Sequence, residues 1–279
     1  MTAEKATAEK ATAGTATAGT ATAEKATAGM VTAAGDGWEP TDIYEAGLRS
    51  TAGRLWAHHP DGRRIPLPVH RWRGTLPPRS EPEAVAALSG VTVGGVAGAG
   101  AAGGGGALAA GDLSLLWRCA GPTLDVGCGP GRLAAALAAR GVPALGIDVA
   151  PLAVRLSRQA GAVALRRDVF GRLPAEGRWV ALLLADGNIG IGGDPVRLLR
   201  RAGQLLAPTG QVLVEVEPPG TPTGPVRLRL EDATGRISKP FAWCLVSLDE
   251  LAVLAPAAGL LVAGSWQSAG RHFAALGHG

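Results

Sequence analysis

Short unbroken runs of apolar residues alternate with helical patterns through the second half of the chain. Runs that predict strands lie at 122–126, 144–147, 162–165, 179–185 and 211–216. Helical patterns follow the first, second and fourth of them, and a last helical pattern lies at 248–255. A strand with both faces covered is apolar throughout rather than alternating. The pattern therefore predicts an α/β domain with a parallel sheet between layers of helices.

Apolar and polar residues alternate elsewhere, which predicts antiparallel pairs. One hairpin is expected at 54–69, around the turn signal Pro60-Asp61-Gly62. A second is expected at 225–246, and a closing pair at 260–263 and 272–276. Prolines in the second strand of the first hairpin place that strand at an edge.

The remaining segments divide the chain into three parts. Residues 1–35 contain a Thr-Ala-Glu-Lys-Ala repeat without large apolar side chains, so a disordered tail is expected. Residues 36–111 predict a cap segment, with a helix at 42–48, the first hairpin, a helix near 82–89 and a Gly/Ala-rich loop. Residues 112–279 predict the main domain. The Gly/Ala stretch is too rich in glycine to predict a membrane helix.

A glycine loop between the first strand and its helix is the clearest candidate site. Asp125 is followed by Gly127, Gly129 and Gly131, and strong helix formers begin directly afterwards. Glycine lets the backbone turn sharply and lets a ligand approach closely. The N–H groups at the start of the helix attract a negative group. Arg132 occupies the place of the third glycine of a dinucleotide fingerprint, which argues against NAD.

Asp148 ends the second strand, about 20 residues beyond the loop. A carboxylate there hydrogen-bonds ribose hydroxyls in nucleotide-binding folds, and the alternative role is a cap for the next helix. With Asp125, the loop resembles the cofactor loop of class I S-adenosylmethionine-dependent methyltransferases. The resemblance covers roughly 112–279.

The resemblance implies a Rossmann-like, doubly wound sheet of seven strands, in the order 3-2-1-4-5-7-6 with the last strand antiparallel. It implies S-adenosyl-L-methionine as the cofactor, and it implies that Asp168 meets the adenine while Val169 packs on the ring. It also implies that the cap covers the cofactor, with Tyr44, Trp56 and Trp72 as candidate pocket walls. The expected cofactor-binding residues are Asp125, Gly127, Cys128, Gly129, Gly131, Asp148, Val149, Asp168, Val169 and Asp186.

Asp186 and Asn188, which follow the fourth strand, are the candidate catalytic residues. Residues after strand ends face the ligand crevice of such sheets. His58, His59 and His272 are alternative bases, although adjacent histidines in a strand point to opposite faces. The strand does not end in the N/D-P-P-Y/F motif of base and glutamine methylation.

Composition adds little about partners. The net charge is +4, and the arginines at 63, 64, 71, 73 and 79 form a loose basic cluster. Three scattered cysteines predict neither disulfides nor a zinc site, so no metal and a cytoplasmic location are expected.

Three functions remain open. The first is a methyltransferase for a small-molecule acceptor, without a membrane or nucleic-acid partner. The second is a methyltransferase for RNA or protein, which the arginine cluster would favour. The third is a non-catalytic cofactor-binding module or an NAD enzyme. Oligomeric state and the methylated atom are left open.

Overall fold

The computed structural model describes residues 37–50, 53–74 and 108–279. These residues belong to one compact unit, Asp36–Gly279. The repeat at 1–35, the expected helix at 82–89 and most of the Gly/Ala-rich loop lie outside the described residues. The three-part division of the chain therefore stays a prediction.

A seven-stranded sheet forms the centre of the main domain. The strands are β3 Thr123–Val126, β4 Ala144–Asp148, β5 Ala164–Arg166, β6 Trp179–Leu184, β7 Leu206–Val216, β10 Leu260–Ser268 and β11 Arg271–His278. Their spatial order is β10-β11-β7-β6-β3-β4-β5. Neighbours from β5 to β7 run parallel, whereas β11 is antiparallel to both β7 and β10. This arrangement confirms the predicted fold and strand order.

Helices cover both faces of this sheet. The helices of the whole described chain are α1 Pro40–Arg49, α2 Val69–Trp72, α3 Ala110–Leu116, α4 Arg132–Ala139, α5 Pro151–Gln159, α6 Pro195–Leu205 and α7 Leu251–Ala257, and a 3₁₀ segment spans Asn188–Gly193. Among the described residues, no helix has the length and apolar character needed to cross a membrane.

Helix α6 shows how the sequence determines these elements. Asp194 caps its N-terminus by accepting a hydrogen bond from the Arg197 N–H at 2.9 Å. Buried residues recur at helical spacing along one side, namely Leu198, Leu199, Ala202 and Leu205. The helix ends at Leu205 and β7 starts at the next residue, earlier than the apolar run at 211–216 predicts.

The two predicted hairpins join into a single second sheet, which we call the cap sheet. It consists of β1 Leu55–His58, β2 Arg64–Pro66, β8 Gly224–Asp232 and β9 Phe241–Leu245, in the order β2-β1-β8-β9. The join is the antiparallel pairing of β1 with β8, in which Leu55 lies opposite Asp232. Alternating patterns predict each strand but do not specify its partner, so the sequence left the hairpins separate. As predicted, β2 is an edge strand.

Gly131 is fixed by packing as well as by its backbone conformation. Its φ is +89°, and a Cβ there would lie 2.3 Å from Ser157 Oγ and 2.7 Å from Ser157 Cα in α5. We expect Gly131→Ala to lower the free energy of unfolding by about 3 kcal/mol, because overpacking adds to the backbone cost. Urea unfolding measures this change.

Gly161→Ala is the matched control. Gly161 has a φ of +91°, but no atom lies within 4 Å of the position that a Cβ would take there. This variant should therefore lose only about 1 kcal/mol from backbone strain. Equal losses in the two variants would contradict the close packing of the loop on α5.

Candidate active site

A cavity of about 680 Å³ lies between the carboxyl ends of the central strands and the inner face of the cap sheet. The glycine loop and the residues that end β4 and β6 form one side. Residues of α1, α2, β8 and β9 form the other side. Ligands of open α/β sheets bind at this edge, so the cavity is the candidate active site.

The glycine loop presents its backbone to this cavity. Gly127 and Gly129 have φ values of +68° and +53°, and both line the cavity. The loop is anchored to the neighbouring strand, because the N–H groups of Gly127 and Cys128 both donate to the Ile147 carbonyl. A Cβ at Gly129 would lie 3.1 Å from the Tyr44 hydroxyl, so glycine keeps the gap between loop and cap open.

The other two loop residues have packing contacts. Gly131 faces α5, as described above. Cys128 is buried and lies so close to β4 that a Cβ at Gly146 would be 2.7 Å from its Sγ. Burial raises the pKa of the Cys128 thiol well above its ordinary value, which makes the thiol a poor nucleophile.

Asp148 is positioned at the end of β4 with both oxygens turned to backbone donors. Oδ2 accepts from the Gly129 N–H at 3.0 Å, and Oδ1 accepts from the Ala150 N–H at 2.8 Å. Asp148 thus supports the loop and the start of α5 together. Each carboxylate oxygen can accept a further hydrogen bond, and the residue lines the cavity. A ribose contact and a helix-capping contact are therefore compatible.

Three further predicted cofactor residues line the same side of the cavity. Asp168 is exposed, and its Oδ1 accepts from the Phe170 N–H at 2.9 Å. Val169 is buried and Val149 is half-exposed. All three line the cavity, while their contacts with a cofactor stay a prediction.

Six charged side chains form an ion-pair network that includes Arg132, the residue directly after the glycine loop. They are Arg71, Asp112, Arg132, Asp186, Glu215 and Arg271. Asp186 pairs with Arg71 of α2 and with Arg132 of α4, the latter at 2.5 Å. Arg132 also pairs with Asp112, which Arg271 contacts at 2.7 Å. The network contains three positive and three negative groups, so its charges balance.

The network determines the chemistry of Asp186. Burial alone would raise its pKa, but Arg132, Arg71 and Arg271 together hold the pKa of Asp186 below its ordinary value. Its backbone N–H donates to Glu215 Oε2 at 2.6 Å. A carboxylate held in this way is a weak base. Its catalytic role and its cofactor contact stay predictions, and its visible contacts are structural.

Asn188 also contacts the loop. Its Nδ2 donates to the carbonyl oxygens of Val126 at 2.8 Å and Gly127 at 3.1 Å. A Cβ at Gly127 would lie 2.6 Å from this nitrogen. Asn188 thus holds the loop from the side of β6, and its predicted contact with an acceptor stays a prediction.

Asp125 lies under the loop and is only 2% exposed. Burial raises the pKa of Asp125 to about 7, and Arg132 offsets part of that effect. Within the described residues its Oδ2 has no hydrogen-bond partner. An unsatisfied buried carboxylate oxygen next to a glycine loop fits a ligand with a donor group, such as the α-ammonium group of an amino acid.

Aromatic side chains form much of the cap wall. Tyr44 and Trp72 meet edge to face with ring centres 6.0 Å apart, and Phe241 and Trp243 do so at 6.2 Å. All four line the cavity. Trp56, the third candidate wall, instead lies under the Arg64 guanidinium at 3.9 Å and is not part of the lining. Phe241 and Trp243 were missed because the sequence does not show which face of their strand turns inward.

The two adjacent histidines separate as the strand geometry predicts. His59 lines the cavity, whereas His58 Nε2 lies 2.5 Å from Glu231 Oε2. Of the basic cluster, four arginines lie in the described residues and each has a partner. Arg63 contacts Asp61, Arg64 contacts Glu231, Arg71 contacts Asp186, and Arg73 donates to the Ser50 carbonyl.

Comparison with known proteins agrees with this geometry. Residues 123–210 match the sequence family described as "Methyltransferase domain". A methyltransferase from Bacteroides fragilis, solved with S-adenosyl-L-homocysteine, has a TM-score of 0.59 at 20% identity over 85% of this chain and 94% of that chain. The CcbJ methyltransferase from Streptomyces caelestis has a TM-score of 0.47 at 19% identity over 60% and 88% of the two chains. No curated protein matches the sequence.

Fold and sequence match together define a methyltransferase domain at the centre of the chain. The chain has the fold of a solved S-adenosylmethionine-dependent methyltransferase, and its residues 123–210 match a methyltransferase domain.

Removing one partner should show how much the ion-pair network contributes to the free energy of unfolding. Arg132 has a side chain only 5% exposed, and its loss would leave Asp112 and Asp186 short of a counter-ion. We expect Arg132→Met to lower the free energy of unfolding by about 3–5 kcal/mol in urea. Arg63→Met, which breaks an exposed pair, should change it little. Similar effects in the two variants would contradict this account.

Asp125 should make stability depend on pH. The folded protein holds the Asp125 proton up to about pH 7, while the unfolded chain loses it near pH 4. Folding therefore takes up a proton between about pH 4 and pH 7. The free energy of unfolding decreases as the pH rises through this range. We expect Asp125→Asn to gain about 1.4 kcal/mol per pH unit over wild type between these limits, and no more above pH 7.

Urea unfolding of both proteins at pH 4.5, 6 and 8 measures the difference. A difference that is constant with pH would contradict the raised pKa of Asp125. Glu250→Gln, which removes an exposed carboxylate, should retain the wild-type pH dependence and serves as the control.

Proposed function

We propose that this protein transfers a methyl group from S-adenosylmethionine to a small-molecule acceptor by in-line displacement. The observation that carries the proposal is the continuous cavity of about 680 Å³, which runs from the glycine loop to the aromatic wall of the cap. A volume of this size is typical of a small-molecule site.

The loop side of the cavity fits the cofactor. The backbone at Gly127 and Gly129 and the carboxylate of Asp125 would hold the amino-acid part. Asp148 would accept hydrogen bonds from the ribose, and Asp168 and Val169 would contact the adenine. The B. fragilis enzyme of similar fold, solved with S-adenosyl-L-homocysteine, supports this choice of ligand.

Bound S-adenosylmethionine supplies an activated methyl group on a sulfonium centre. The chain's own contribution is then to place the acceptor in line and to exclude water, which accounts for much of the rate in such reactions. The ion-pair network and Asn188 keep the loop in one position. The aromatic wall excludes water from the opposite side.

The partners of the arginines favour a small acceptor over RNA. Arg63, Arg64, Arg71 and Arg73 each contact a carboxylate or carbonyl oxygen. Phosphate contacts would have to compete with these interactions. A protein acceptor has no feature of the described residues in its favour.

Calorimetric titration with S-adenosylmethionine, S-adenosyl-L-homocysteine and NAD tests the cofactor. We expect binding of the first two and none of NAD. Asp148→Ala should weaken S-adenosylmethionine binding at least about tenfold, because it removes the ribose acceptor and a loop contact. Glu250→Ala, at an exposed position whose side chain makes no capping hydrogen bond to α7, should bind as wild type does.

Binding of NAD alone would overturn the proposal. Unchanged affinity of Asp148→Ala would overturn the role of Asp148. Methyl transfer to a structured RNA with steep salt dependence, and to no small molecule, would favour the RNA alternative.

A further inference from the structure

Glu217 lies where the end of β7 meets the cap side of the cavity. It follows β7 directly and is two residues beyond Glu215, so both side chains leave the strand on the same side. Two strand residues span about 6.6 Å. Glu215 accepts a hydrogen bond from the Asp186 N–H on the loop side of the cavity. Glu217, two residues farther along the chain, therefore lies nearer to the cap. It lines the cavity.

The backbone fixes Glu217 in this position. Its N–H donates to the Val246 carbonyl at 2.9 Å, and its carbonyl accepts from the Leu248 N–H at 3.1 Å. These bonds attach the end of β7 to the segment that follows β9. The carboxylate is therefore carried by a rigid support rather than by a free loop.

Glu217 differs from Asp148 and Asp186, two other carboxylates that line the cavity, in having no partner within the described residues. Asp186 is paired with two arginines, and Asp148 accepts two backbone N–H groups. Within the described residues, the Glu217 carboxylate has no hydrogen bond or ion pair. A partly buried carboxylate of this kind gains a strong interaction only from a cationic ligand.

The surroundings of Glu217 complete a binding surface for such a ligand. The pairs Tyr44–Trp72 and Phe241–Trp243 offer aromatic walls, which attract cations as well as apolar bodies. Arg63 and His59 also line the cap side, but Asp61 already lies 2.7 Å from the Arg63 guanidinium. On the cap side, Glu217 is a negative group available to an acceptor, whereas Asp125, Asp148, Asp168 and Asp186 lie on the loop side.

We propose that the cavity takes an acceptor that carries a protonated amine, with Glu217 binding the ammonium group and the aromatic pairs enclosing its apolar body. This inference rests on the proposed function, since it names the class of acceptor for the same site. The amine is the group recognised, and it need not be the atom that is methylated.

A matched pair of probes tests this proposal. Naphthylmethylamine and naphthylmethanol have nearly the same shape, and only the first is a cation at neutral pH. We would titrate each into the full-length protein saturated with S-adenosyl-L-homocysteine. Wild type should bind the amine about tenfold more tightly than the alcohol, as expected for a hydrogen bond to a charged group.

Glu217→Gln keeps the size of the side chain and removes its charge. In this variant the amine should lose its advantage while binding of the alcohol stays unchanged. A merely structural role for Glu217 would weaken both probes together. Glu250→Gln makes the same chemical change at an exposed site and should keep the preference for the amine.

The proposal is overturned if wild type shows no preference, if neither probe binds, or if Glu217→Gln retains the preference. Binding of S-adenosyl-L-homocysteine, measured first in each protein, separates this failure from a failure of the proposed function. If wild type does not bind S-adenosyl-L-homocysteine, the proposal that S-adenosylmethionine is the cofactor is wrong. Normal binding without an amine preference would contradict the acceptor class alone.

Discussion

The buried ion-pair network is the constraint on which the active-site edge of this protein depends. Six charged groups from α2, α3, α4, β7, β11 and the end of β6 meet in this network. Taking such charges out of water costs several kcal/mol for each ion, and only close pairing offsets that cost. The elements can therefore assemble in few ways. Arg71 extends the same constraint to the cap, so the glycine loop and the cap side of the cavity are positioned by one set of contacts.

The cap sheet supplies the other half of the site from two distant parts of the chain. Its inner face buries Ala57, Leu228 and Leu230 against the cavity side, while its outer face carries the pair of His58 and Glu231. This division follows from the alternation of side chains along a strand. A pocket that is polar at the loop and aromatic at the cap results directly from the two sheets facing each other.

Much of the main domain could be predicted from the sequence, because its strands are continuous apolar runs and its loop has a recognisable glycine pattern. The positions of Asp148 and the glycines at one edge follow from that pattern, and the strand order follows from the resemblance that the loop carries. Other features depend on contacts between distant residues. The pairing of β1 with β8, the three arginines around Asp186 and the unpaired Glu217 have no local signal. The position of Asp186 at the end of a strand was predictable from the sequence. Its ion pairs with Arg71 and Arg132 were not, because those arginines lie far from it in the chain.

The pairing of β1 with β8 also bears on how the protein reaches this structure during synthesis. His58 and Glu231 are separated by 173 residues, and closing so large a loop is entropically costly until other contacts shorten it. We expect the central sheet to form first and to bring the two hairpins together. During synthesis, the hairpin of β1 and β2 has one unpaired edge until β8 has left the ribosome. We therefore expect the cavity between the two sheets to be the last part of the protein to acquire its shape.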